Sequence, residues 1–77
     1  MEFDYSKLRG RIVEKYATQE AFAREVGQTP TTISYKLKNR KPITRKDIIE
    51  WGKVLSIEPN DIGVYFFTEK VRDTQTS

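Results

Sequence analysis

Cysteine and histidine are both absent from this chain. Without cysteine there is neither a disulfide nor a thiolate zinc site, so the fold must rest on packing alone. Without histidine the commonest general base, metal ligand and pH switch are missing. Enzymatic chemistry would have to rest on carboxylates, lysines or a tyrosine, and the chain does not group these, so no catalytic residue, metal site or cofactor is assigned. No apolar run approaches the roughly 20 residues needed to span a bilayer, and the opening MEFDYSK lacks the basic-then-apolar pattern of a signal peptide. The expectation is a soluble, cytoplasmic protein with no membrane partner and no small-molecule substrate.

Seventy-seven residues suffice for one domain, near the lower limit for a single unstapled core. The net charge of +3 is small but unevenly placed. Six of the fourteen basic residues fall between Lys36 and Lys46 with no acid among them, leaving eleven acids against eight bases elsewhere. One basic patch on a mildly acidic body is the electrostatic footprint of a nucleic-acid binder.

Residues 18–39, TQEAFAREVGQTPTTISYKLKN, read as two short helices joined by a glycine turn. Thr18 is placed to cap the first, which carries Phe22, Ala23 and Val26 at the spacing of a buried stripe. Gly27 suits the left-handed conformation that stops a helix. Thr29 caps the second helix, and Pro30 takes its first position, where the missing N–H costs nothing. Ile33 and Leu37 point inward together, while Thr31, Ser34, Tyr35 and Lys38 face outward. Thr31, Thr32, Ser34 and Tyr35 are mediocre helix formers that donate and accept hydrogen bonds. A face of this kind suits base edges and phosphates, and the pair reads as a DNA-binding helix-turn-helix.

The flanks are helical too. A first helix is predicted over residues 5–16, with Asp4 as its cap, Phe3 and Leu8 as a hydrophobic staple, and Tyr5, Leu8, Ile12 and Tyr16 as its buried stripe. Gly10 in its middle suggests close approach by another segment. Asn39 to Ile43, NRKPI, is too basic and Pro-broken for helix. Thr44 and Asp47 form a capping box for a fourth helix with Ile48, Trp51 and Leu55 inside, and Gly52 would admit a close neighbour. A short fifth helix starts at Pro59 and ends near Tyr65. The predicted fold is all-α, a compact bundle of about five short helices spanning residues 1–67, with a polar, frayed tail over residues 68–77. Residues 64–67 either close the core against the first helix or form a two-fold dimer contact.

The run Gln19, Ala23, Gly27 and Ile33, with a further apolar residue at Leu37, resembles the helix-turn-helix of the phage Cro and repressor family. FDYSKLRGRI and IGVYFFTEK are similar to the ends of small Cro-like regulators of temperate phages from Gram-positive bacteria. The resemblance implies a repressor that inserts its third helix into the major groove of a palindromic operator, as a homodimer on double-stranded DNA, in the nucleoid of a bacterial host cell. It implies that Thr31, Ser34 and Tyr35 read bases, with Thr29 and Lys38 at the edges. Gln19, Lys36, Asn39, Arg40, Lys41, Thr44, Arg45 and Lys46 are expected at phosphates. Lys36 stands where the family is often apolar and would swing toward a phosphate, while Leu37 takes over the packing. Ser56 stands where relatives often carry a helix-ending glycine. The rival reading is a protein-binding antirepressor or adaptor built on the same fold, and a small nuclease is a distant third.

Overall fold

Threonine opens three of the helices in the same way. In the computed structural model, which describes residues 2–70, the hydroxyls of Thr18, Thr29 and Thr44 accept the backbone N–H of Ala21, Thr32 and Asp47, each at 3.1 Å. These caps start α2 (Gln19–Val26), α3 (Pro30–Leu37) and α4 (Arg45–Val54). The capping box is complete, since Asp47 Oδ2 accepts from the Thr44 N–H at 3.0 Å.

The same three helices also share an ending. One or two residues past each, the chain adopts a left-handed conformation, at Gly27 with φ 73°, at Asn39 with 63° and at Ser56 with 54°. The residue after it then donates back to a carbonyl inside the helix: Gln28 to Ala23, Arg40 to Tyr35 and Ile57 to Gly52. This arrangement satisfies carbonyls that would otherwise be orphaned and reverses the chain sharply. Gly27 meets the requirement without a Cβ, whereas Asn39 and Ser56 do so against their stereochemistry.

α1 (Ser6–Tyr16) begins one residue later than predicted. Tyr5 holds the cap position with no side-chain cap, and Asp4 instead accepts from both the N–H and the hydroxyl of Ser6, at 2.9 and 2.6 Å. Phe3 packs beside the rings of Tyr5 and Phe67 rather than serving as a simple staple. Gly10 has nothing within 4 Å of the position of an added Cβ, so no close approach explains it. Gly52 does admit a neighbour, because a Cβ there would lie 3.3 Å from Ile62 Cδ1.

α5 (Ile62–Phe66) follows a 3-10 turn over Pro59–Asp61 and closes the all-α bundle. Trp51 stands at the centre of the core, edge-on to Phe22 with centroids 5.1 Å apart and 6.4 Å from Phe66. Leu8, Ile12, Ala23, Ile33 and Leu55 are sealed around it. Of residues 64–67, Phe66 enters the core and Tyr65 is half-buried, while Val64 and Phe67 stay exposed.

Residues 68–70, where the tail is expected to begin, pair with the N-terminus. Thr68 and Lys70 exchange backbone hydrogen bonds with Asp4 and Glu2, around an antiparallel bridge between Phe3 and Glu69. Residues 71–77, the rest of that expected tail, lie outside the described residues.

Candidate nucleic-acid interface

The α3 face follows from how its inner side is held. Ile33 and Leu37 are buried, which turns Thr31, Tyr35 and Lys38 outward, Tyr35 with 42% of its surface exposed. Ser34 is half-buried at the edge of that face. Thr29 lies at its start, but its hydroxyl is committed, accepting the Thr32 N–H and donating to the Thr32 hydroxyl at 2.9 Å. After α3 in the chain, Arg40, Lys41, Arg45 and Lys46 are exposed, and none of them forms an ion pair among the described residues. Gln19 opens α2 half-buried, and Thr44 caps α4 through its hydroxyl.

Two of the expected phosphate ligands are committed elsewhere. Lys36 does not swing outward: its Nζ lies 2.6 Å from Asp47 Oδ2 and 3.0 Å from Gln28 Oε1, and 5.9 Å from the centre of the Trp51 ring. Gln28 Nε2 closes the triangle by donating to Asp47 Oδ1 at 2.9 Å. An ammonium in this half-apolar setting needs a counter-charge, and the carboxylate that already caps α4 supplies it. Burial disfavours the charged Asp47, but hydrogen bonds from Lys36, the Thr44 backbone and Gln28 outweigh it and hold the pKa below its ordinary value.

Asn39 is likewise turned inward. Its side-chain oxygen accepts from the Phe3 N–H at 3.0 Å, and its side-chain nitrogen donates to the Phe3 carbonyl at 2.9 Å. The amide thus pairs with the outer edge of Phe3 much as a further strand would. The exit of α3 is tied in this way to the terminal ribbon.

Arginines of α1 complete the support, a role absent from the sequence expectations. Arg9 Nη2 donates to the Leu37 carbonyl at 3.1 Å, and Arg11 donates to the carbonyls of Leu55 and Ser56 at 2.8 and 3.2 Å. Both place positive charge at the C-terminal end of a helix, where the dipole favours it. The only available signal was the spacing of two basic residues beside the buried stripe of α1. The Gln28–Lys36–Asp47 triangle had a stronger one, a lysine one turn from Ile33 on the inward side.

A short helix pair with an exposed hydroxyl-and-tyrosine face, followed in the chain by exposed cations, can meet a polyanion while presenting hydrogen-bonding groups to it. The chain belongs to the DUF739 family. Residues 1–69 match this family, described as a protein of unknown function. The DUF739 chain is also similar to the modulator of repression (MOR) of the temperate bacteriophage TP901-1 from Lactococcus lactis, known from its solution structure. The two are 40% identical, the match covers 94% of this chain and 97% of that one, and the TM-score is 0.77. No curated protein matches the sequence. This DUF739 chain is thus similar in sequence and in its all-α fold to a modulator of repression of a temperate phage. No helix among the described residues is long and apolar enough to cross a membrane.

Proposed function

We propose that this protein is a regulator in a temperate-phage type of repression switch, and that it works by laying α3 into the major groove of an operator. The observation that carries the reading is the exposure of Thr31, Tyr35 and Lys38 on α3 together with that of Arg40, Lys41, Arg45 and Lys46, which follow it in the chain. Thr31 and Tyr35 discriminate bases, with Ser34 at the margin, while the cations contact phosphates and set affinity. α3 is roughly 12 Å long at 1.5 Å per residue, comparable with the roughly 12 Å width of the groove. The Cro-like spacing of Gln19, Ala23, Gly27 and Ile33 supports the same reading. Because one helix-turn-helix reads only a half-site, the protein pairs as a homodimer on palindromic DNA. Residues 1–67 act as the DNA-binding domain.

The test is a comparison of duplex binding by the parent chain with Tyr35→Ala and Thr31→Ala. Loss of preference between duplex sequences, with weak nonspecific affinity retained, is expected. Unchanged preference would remove α3 from base reading.

A second reading is favoured by one observation, that the similar phage protein is a modulator of repression. In that reading the same α3 face grips another regulator as an antirepressor or adaptor. Tyr35→Ala would then abolish partner binding, and the parent chain would bind every duplex weakly and alike.

A further inference from the structure

Beside the C-terminal end of α3 a cleft of about 320 Å³ opens between the terminal ribbon and the turn over residues 39–43. On one wall Phe3 and Phe67 meet edge-on with centroids 5.9 Å apart, and Phe67 keeps 52% of its surface exposed. Tyr5 also lines the cleft. It is only 7% exposed. Its phenol is protonated at neutral pH, as an ordinary tyrosine is, and burial pushes its pKa further up. Arg40 and Lys41 also line the cleft, both exposed and without an ion pair among the described residues, and no acidic residue lines it.

Each feature constrains the occupant. The volume lies at the lower end of ligand sites, about 300 Å³, and suits one large side chain. Aromatic walls with arginine at the rim are the composition of a protein-binding hot spot. An exposed phenylalanine beside a concave surface gains most from an apolar group that projects into it. A duplex carries no such projecting group, whereas a peptide does. The unbalanced positive rim selects for carboxylates around that anchor.

We propose that this cleft docks an acidic peptide segment of a protein partner, with one large apolar side chain entering between Phe3, Tyr5 and Phe67 and flanking carboxylates meeting Arg40 and Lys41. The inference goes beyond the α3-face reading. The two surfaces share Arg40 and Lys41, but Phe67 and Tyr5 belong to the cleft alone.

The test titrates the isotopically labelled full chain with a capped pentapeptide, Glu-Glu-Trp-Glu-Glu, and follows backbone amide shifts. Saturable shifts centred on Phe3, Tyr5, Ile43 and Phe67 are expected. Replacing the tryptophan by alanine, or all glutamates by lysines, should weaken binding at least about fivefold, as should Phe67→Ala or Lys41→Glu in the protein. Phe67 and Lys41 are both exposed, so these variants keep the fold. Tyr35→Ala should leave the peptide titration unchanged.

Absence of saturable shifts, or shifts centred on the α3 face instead, would overturn the proposal. Equal binding of the alanine peptide would reduce the cleft to nonspecific charge, and equal binding of N-acetyltryptophan would make it a site for small organic anions. Intact peptide binding with failed duplex binding would sink the α3 reading alone. The reverse pattern would sink this proposal alone.

Discussion

Lys36 Nζ and Asp47 Oδ2 lie 2.6 Å apart, with only 12% and 6% of the respective side chains exposed. The pair fastens the inner side of α3 to the N-terminal turn of α4, and Gln28 links it to the turn between α2 and α3. Removing one member leaves the other as a buried charge without its counter-ion, which costs about 3–5 kcal/mol. Lys36→Met should therefore destabilise strongly in a denaturant titration. Adding Asp47→Asn should recover part of the loss, because a neutral amide tolerates the lost cation. A single-variant cost below about 1 kcal/mol would mean that the pair is solvated in solution.

The lowered pKa of Asp47 gives a pH dependence with a definite sign. A carboxylate whose folded pKa is depressed contributes stability that is fully present above its unfolded pKa, about 3.9, and is lost as pH falls through the folded value. The melting temperature of the parent should fall between about pH 5 and pH 2, and the fall should be shallower in Asp47→Asn. Parallel curves for the two proteins would contradict the assignment.

Gly10 offers a stabilising change. It lies on the exposed side of α1 with open space where a Cβ would go, and glycine costs a helix interior about 1 kcal/mol relative to alanine. Gly10→Ala should raise the melting temperature by about 4–8 °C. A decrease would reveal a contact at that position.

The left-handed residues make a paired prediction. Ser56→Gly relieves an unfavourable conformation and should stabilise by about 1 kcal/mol or less. Asn39→Ala keeps the strained φ of 63° and loses both hydrogen bonds to Phe3, so it should cost about 2 kcal/mol. Thermal melts of the two variants should move in opposite directions.

Most of the fold was legible because the same local chemistry recurs. Threonine caps, the glycine stop at Gly27 and three-and-four apolar spacing each act within a few residues, so the starts and buried faces of α2, α3 and α4 are legible locally, whereas the left-handed Asn39 and Ser56 are not. α1 starts one residue later than its pattern predicts because Asp4 bonds to Ser6 instead of occupying the cap itself. What stayed hidden was pairing over long sequence separation. Nothing local tells that Asn39 bonds Phe3, that Arg9 reaches Leu37, or that residues 68–70 pair with the N-terminus. The inward position of Lys36 is hidden for the same reason, since its counter-ion lies eleven residues on in another helix. The candidate interface is thus smaller than the basic run suggests, by one lysine and one asparagine.

That correction changes the expected salt dependence. Lys38, Arg40, Lys41, Arg45 and Lys46 remain to neutralise phosphates, so log K should fall with log salt at a slope of about −4 to −5 per subunit. Lys38→Ala should reduce the slope by about 1, and Lys36→Arg should leave it unchanged. A comparable loss of slope on changing Lys36 would return that residue to the interface.

Selection from a random duplex library with the purified chain at about 150 mM salt, where purely electrostatic binding is suppressed, tests the central claim most directly. Enrichment of a palindrome is the predicted result, and its half-site spacing would define the dimer on DNA. Recovery of no preferred sequence would contradict operator reading by α3 and leave the face as a grip on another regulator.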